Sequence, residues 1–475
     1  MRKARLSFFR CVAHCLSLAL AIMVLTQVSR AATATVLYNF CSQQNCADGA
    51  NPQADLVTDL AGNVWGTTRN GGAHQFGTIF ELTKSSGFTA IGQEYSFKGG
   101  SSDGAFPEAG LVFDSQTGFF YGTTSAGGSG SCNNGCGTVF AFLPGNSTDT
   151  ILHSFGASGD GATPLAGLVP DTSQNLYGTT SAGGSTKCTG GCGTVFLMNP
   201  VTNTYKLLYK LTGGADGSDP VAALVFDSQE NIWGTAQKGG TNGVGTIFEL
   251  AAPSYTSLAF EHSFKGTPNG AFPAAALTFN KNVGGALGTL YGTTSAGGSR
   301  TCSGGCGLVF QLKISGHVIS GIYKLTGAGA SKTGSAPVGK LALDTDSSDA
   351  RAGHLYGTAS MGGINSGNCP STGCGTLFEI CPPTISCTGY ARGAAVFRFD
   401  GTDGENPLAG VLLDIAGADE LLDGGRQLDW FAPRETGEDG DPDPQTGKGV
   451  CTTNCLGAGS NGGKNGKGVV IKIKP

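Results

Sequence analysis

Residues 160–196 read DGATPLAGLVPDTSQNLYGTTSAGGSTKCTGGCGTVF, and the rest of the chain is variation on that stretch. Its core phrase, Tyr/Trp-Gly-Thr, recurs with its glycine at Gly66, Gly122, Gly178, Gly234, Gly292 and Gly357, in steps of 56, 56, 56, 58 and 65 residues. A D-G-x-x-P-x-A-x-L phrase precedes it, clearest at Asp48, Asp103, Asp160 and Asp216 and weaker around Asn269, Pro337 and Asp403. A G-T-V-F phrase follows, at Gly77, Gly137, Gly193, Gly245, Gly307 and Gly375, degraded to Gly-Val-Val-Ile at Gly468. A short aromatic phrase closes each copy, from Leu37–Phe40 to Val396–Phe399.

Each phrase is a few β-branched or aromatic residues bounded by Gly, Asn, Asp or Pro, which is strand and turn chemistry. One unit therefore reads as an up-and-down meander of strands a, b, c and d, for example Leu111–Asp114, Leu176–Thr180, Thr194–Met198 and Lys206–Leu211. Four-stranded meanders repeated at this period predict an all-β fold, a seven-bladed β-propeller of antiparallel blades. The chain opens in a d strand (Val36–Phe40) and ends in a c strand (Val469–Ile473), so the N-terminal strand is expected to pair with the C-terminal blade and close the ring. A β-solenoid with two 28-residue rungs per unit is the alternative. Small residues after the proline, such as Ala109-Gly110 and Ala166-Gly167, suit inner strands converging on an axis.

Glycine makes up 80 of the 475 residues, charged residues 13% and hydrophobic residues 39%, and the net charge is −5. No Gly-X-Y period is present, and 26 phenylalanines argue against a disordered tract. Helix is expected to be scarce, since glycine costs about 1 kcal/mol in a helix interior. The charge balance gives no footprint for nucleic acid.

Residues 1–34 read as a signal peptide. Arg2, Lys3, Arg5 and Arg10 precede an apolar run from Cys11 to Val28, and Ala32-Thr33-Ala34 fits a cleavage site. An uncleaved anchor is the alternative. No later run is long enough to span a membrane, and no apolar tail follows Val470–Pro475, so the expected product is a soluble, secreted, periplasmic or cell-surface protein. The repeat domain is placed at 35–475.

Signal removal takes Cys11 and Cys15 from the 16 cysteines and leaves local pairs: Cys41/Cys46, Cys132/Cys136, Cys188/Cys192, Cys302/Cys306, Cys369/Cys374, Cys381/Cys387 and Cys451/Cys455. In an exported chain these read as disulfides that pin loop tips. Zinc wants C-x2-C pairs or nearby histidines, and free thiols are the other reading.

The recurring Asn175-Leu-Tyr-Gly-Thr-Thr180 through Gly193-Thr-Val-Phe196 resembles the Gloeo/Verruco (GloVer) tandem repeat of exported bacterial proteins. The resemblance covers nearly the whole mature chain. It implies a secreted or surface protein and brings no catalytic residues.

In the meander, the d–a and b–c loops share one face. Asp48, Asp103, Asp160, Asp216 and Asp403 are therefore the candidate ligand-binding residues, a carboxylate ring for a cation or a sugar. Turn chemistry is the plainer reading of the same Asp-Gly steps. Trp65 and Trp233 fill the Tyr slot, and His74, His153, His262, His317 and His354 stand alone. No Gly-x-Ser-x-Gly, His-Glu-x-x-His or P-loop pattern is present. The last copy departs from the rest: residues 416–449 are acidic and read as a divergent or disordered insert, or as a cap built on Trp430 and Phe431.

The sequence-level expectation is a monomeric secreted module that binds polysaccharide or a cell-surface protein at the Asp-Gly face. It needs no cofactor or metal and has no catalytic residues assigned. A carbohydrate-active lyase or hydrolase and a structural envelope protein are the alternatives.

Overall fold

The computed structural model describes residues 33–474 apart from 147, 157–158, 330–331, 346–350, 365–368, 386, 388–391, 403–404, 414–454 and 460–467. Among the described residues every pairing between named strands is antiparallel, which excludes a solenoid of parallel rungs. The third blade is representative: Val169–Pro170, Leu176–Thr180, Thr194–Asn199 and Thr204–Lys210 pair in that order. Its strand b is buried throughout, whereas strand d alternates between exposed and covered residues. Among the described residues, helix is confined to two single turns, Gln44–Cys46 and Lys84–Ser86.

The two central phrases of the repeat explain one another. Gly178 on strand b stands opposite Phe196 on strand c. A Cβ added at Gly178 would lie 2.5 Å from the Phe196 ring and 2.9 Å from Leu168. The same pairing recurs for Gly66 with Phe80, Gly122 with Phe140, Gly292 with Phe310 and Gly357 with Phe378. The glycine of the Gly-Thr-Val-Phe phrase does a different job. Gly193 has φ +94°, and a Cβ there would meet Pro220 of the next copy at 2.5 Å. Blade seating therefore depends on a bare backbone at that point.

Side-chain bonds also link neighbouring blades. The first threonine of the Tyr/Trp-Gly-Thr phrase donates to an alanine carbonyl on strand a of the next copy: Thr67 to Ala109, Thr123 to Ala166 and Thr358 to Ala409. The second threonine bonds to the threonine that starts strand c, as in Thr180 with Thr194 at 2.8 Å. Apolar clusters fill the space between sheets. Trp65 packs against Phe120 at 4.6 Å, and Tyr177 against Phe226 at 5.1 Å.

The expectation of a seven-bladed propeller is corrected. Six whole four-stranded blades follow one another along the chain, one for each Tyr/Trp-Gly-Thr phrase, from Val57–Thr58 to Gly393–Arg398. What closes the ring is a joint between the two chain ends. There Thr33–Asn39 pairs with Val469–Lys474, which continues through Cys455–Gly459 to Leu412–Leu413. The proline and Gly-Thr-Val-Phe phrases mark the borders of a unit, and the joint keeps its borders at Pro407 and Gly468 without the unit's middle phrase. Counting borders therefore overcounted blades. Thr33 and Ala34, at the expected cleavage site, lie in this sheet opposite Lys474 and Ile473. Residues 1–32 and the proposed insert or cap at 416–449, with Trp430 and Phe431, lie outside the described residues.

Six of the expected cysteine pairs are disulfides: Cys41–Cys46, Cys132–Cys136, Cys188–Cys192, Cys302–Cys306, Cys369–Cys374 and Cys381–Cys387. For the pair Cys451/Cys455, Cys451 lies outside the described residues.

Candidate functional site

The d–a and b–c loops do share a face, and they pair there. Gly104-Ala105 bonds with Ala126-Gly127, and Gly161-Ala162 with Ala182-Gly183. Shorter bridges repeat the contact at Ala50 with Asn70, Ser218 with Lys238, Ala271 with Ala296 and Ser335 with Met361.

The Asp-Gly carboxylates lie inside these loops rather than on their rims. Asp48, Asp103 and Asp216 are 0%, 3% and 2% exposed. Asp48 accepts bonds from the Tyr38 hydroxyl at 2.8 Å, the Ser42 hydroxyl at 2.7 Å and two backbone N–H groups. Asp103 accepts from the Tyr95 hydroxyl at 2.9 Å and from the backbone N–H groups of Lys98 and Gly104. Asp216 accepts from the Tyr209 hydroxyl and from the backbone and hydroxyl of Thr212. Asp160 has His153 in the tyrosine's place at 2.9 Å, with the Tyr205 hydroxyl and the Gly161 N–H. Burial raises the Asp160 pKa, but the His153, Tyr205 and Gly161 bonds outweigh it and hold the carboxyl below its ordinary range. Asp403 lies outside the described residues.

These carboxylates are not brought to one point. Each is tied to the aromatic residue at one place on strand d, opposite the second residue of the Gly-Thr-Val-Phe strand: Tyr38 faces Val470, Tyr95 faces Ile79, His153 faces Val139 and Tyr209 faces Val195. Their shape is that of a staple between an outer strand and the loop that leaves it.

One staple is doubled. Tyr95 donates toward Asp103 and lies equally close, 2.9 Å, to Asp149. Burial and the neighbouring Asp103 raise the Asp149 pKa to about 7. Two adjacent carboxyls with one perturbed meet the charge requirement of a glycosidase pair. They fail its access requirement, because Asp103 and the Asp149 Oδ2 atom are buried.

Other lone residues also have structural partners. Trp65 and Trp233 donate Nε1–H to Asp59 and Asp227, both at 2.9 Å. His354 is buried with Nδ1 2.6 Å from Glu379. His317 stacks on Phe260 and lies 3.3 Å from Glu249. Burial lowers the His262 pKa. His74 is exposed in its loop. Among the described residues, no group of three or more His, Cys, Asp and Glu could hold a metal, and no helix is long and apolar enough to cross a membrane.

The head of strand a carries a second arrangement, on the axis. In P-x-A-x-L the residue before the leucine is Asp55, Gly110, Gly167, Ala223, Ala276, Lys340 and Gly410 in successive copies. A Cβ at Gly110 would lie 3.0 Å from the Asp55 carbonyl oxygen, and one at Gly167 3.6 Å from that of Gly110. One at Gly410 would lie 3.0 Å from both an Asp55 carboxylate oxygen and the Lys340 carbonyl oxygen. Residues 167, 110, 55, 410 and 340 are thus neighbours in ring order, each just ahead of the first strand of a different sheet.

In sequence, the chain matches the Gloeobacter/Verrucomicrobia repeat over residues 24–191 and 185–421. It belongs to the Gloeobacter/Verrucomicrobia repeat family. No functionally curated protein matches it. Among solved structures it is similar to the GH74 xyloglucanase of Xanthomonas campestris, at 11% identity and TM-score 0.49, over 80% of this chain and 50% of that one. It is also similar to the GH74 enzyme of Niastella koreensis, at 14% identity and TM-score 0.44, over 71% and 45%. TolB of Acinetobacter baumannii matches at 12% identity and TM-score 0.37, over 68% and 62%. The chain spans about half the length of the two GH74 proteins.

Within this repeat family member, sequence reasoning missed the two charged axis residues. The signal was present. Asp55 and Lys340 occupy a slot that is glycine or alanine in the other five copies.

Proposed function

We propose that the protein is an exported binding module whose d–a and b–c loop face takes an acidic polysaccharide. The observation that carries this reading is the division of labour on that face. The repeated Asp, Tyr and Gly residues are consumed in pairing the loops, so the face is a braced platform, and exposed residues on it vary between copies.

Those variable residues are basic on three successive blades. Lys187, Lys238, Lys265 and Arg300 are exposed in the b–c and d–a loops, although the whole chain carries −5. Lys238 is engaged by Asp219 at 2.8 Å. The other three form an arc of cations, which favours a polyanion over a neutral glycan. Export is supported by the disulfides and the family.

The test is a panel of acidic and neutral polysaccharides titrated against the mature chain at low and high salt. Binding confined to acidic members, weakened by salt, is expected. Replacing Lys187, Lys265 and Arg300 together by alanine should lower affinity about tenfold, at up to about 1 kcal/mol for each exposed charge. Absence of acidic-polysaccharide binding, or a folded triple variant that binds like the parent, overturns the reading.

A further inference from the structure

We propose that the central channel holds a binding site for a small hydroxycarboxylate, with the ligand's carboxylate on the Lys340 ammonium and one of its hydroxyls on Asp55. The site lies on the axis, apart from the loop-face arc, and stands or falls independently of it.

The argument begins with the ring of inner-strand residues. Five of the seven positions are glycine or alanine, and the two exceptions carry opposite charges. Asp55 and Lys340 flank Gly410, whose missing side chain leaves room beside both: a Cβ there would stand 3.0 Å from the Asp55 carboxylate and 3.4 Å from the Lys340 Cβ. The two do not neutralise each other by direct contact. Asp55 accepts the Gly410 N–H at 2.5 Å, whereas Lys340 has no hydrogen bond or ion pair among the described residues.

Lys340 is exposed, yet desolvation lowers its pKa, with Asp55 only partly opposing the effect. Lys340 is open to solvent and stands beside the inner backbone of the next sheet at Gly410. An unpaired cation there gains from an anion more than one on the open surface does. A carboxylate supplies the charge, and Asp55, an acceptor anchored beside it, selects a ligand that also offers a hydroxyl donor. The mouth above is mixed in the same sense. Leu165, Val221, Val338 and Leu408 are half-buried on one arc, and Glu108, bonded to Arg69 and Ser125, stands on the other.

A sugar acid fits this chemistry, either free or as the end of an acidic polysaccharide. The experiment is calorimetric titration of the mature chain with sodium glucuronate, with glucose and acetate as controls and an oligoglucuronate as a second arm. Glucuronate is expected to bind, glucose not to bind, and acetate to bind more weakly. With the loop-face cations Lys187, Lys265 and Arg300 replaced by alanine, tighter binding of the oligomer identifies a chain end as the source, and equal or weaker binding identifies the free acid. Lys340→Met should lower glucuronate affinity tenfold or more, the worth of one charge-assisted bond. Lys340→Arg should retain most of the affinity, and Lys206→Ala, at an exposed lysine on an outer strand, should leave it unchanged.

Amine acetylation gives an independent readout. Lys340 should react faster than surface lysines at mildly alkaline pH, and glucuronate should slow it. The proposal is overturned if glucuronate does not bind, if folded Lys340→Met binds it like the parent, or if glucuronate does not protect Lys340.

Discussion

Gly178 sits in a strand, where glycine is usually a liability, and its reason is steric rather than conformational. Phe196 and Leu168 already occupy the place of its side chain. Both neighbours are buried within the sheet packing, at 0% and 5% exposure, so neither has free space to move into. Gly178→Ala is therefore expected to destabilise the protein by about 1–3 kcal/mol, as overpacking in a filled core does. Urea unfolding measures it, and a midpoint shift below that range shows that the Phe196 ring can yield. Gly145→Ala serves as a control for conformational cost alone, since that glycine has φ +89° but no atom within 4 Å of an added Cβ.

At the scale of strand and loop, the Tyr–Asp staple is the recurring device, and the doubled one makes it titratable. Tyr95 has one hydroxyl proton, and two carboxylates, on Asp103 and Asp149, lie within 2.9 Å of its oxygen. A second proton must be held by one of the acids for the cluster to be satisfied, consistent with an Asp149 pKa raised to about 7 from 3.8. The native state keeps that proton where the unfolded chain has released it. This contribution to stability is thus fully present below about pH 4 and is lost as pH rises to about 7, by about 2–4 kcal/mol. Asp149→Asn, which carries its own donor, should flatten that part of the pH–stability curve relative to the parent. Parallel curves for the two proteins would refute the shared proton. The repeat shows how far such devices can be read in advance. Strands b and c were legible because Gly178 and Phe196 belong to recurring phrases that meet across the sheet. The Asp-Gly phrase was legible as a turn, but its partner was not: Tyr95 lies eight residues earlier in another phrase, and only the fold brings the two together. Asp55 and Lys340 were overlooked because the copies were compared for what recurs, and these two residues depart from it.

For the whole molecule the decisive element is the joint. A ring of blades is closed only if its ends meet, and here the meeting depends on one short strand from the N-terminal end. Thr33–Asn39 pairs along Val469–Lys474, and the next residue, Phe40, is fully buried, donates its N–H to Gly468 and packs edge-on against Phe80 of the first blade at 4.8 Å. On the other side, Val469, Ile471 and Ile473 join the core of the sixth blade around Tyr356 and Phe399. Deleting residues 33–40 would uncover the edge of Val469–Lys474 and empty the Phe40 site at once. One buried aromatic contributes about 1.5–3 kcal/mol, and the lost strand pairing adds to it. The expected outcome is a loss of at least about 3 kcal/mol in urea unfolding, with new dye binding at the exposed edge. A synthetic peptide of residues 33–40 added in trans should restore the parent midpoint in a concentration-dependent way, because it binds the folded ring and not the unfolded chain. An unchanged midpoint after deletion would show that the six blades hold together without the joint. Failure of the peptide to rescue a destabilised deletion would show that closure depends on the covalent connection of this strand to the first blade.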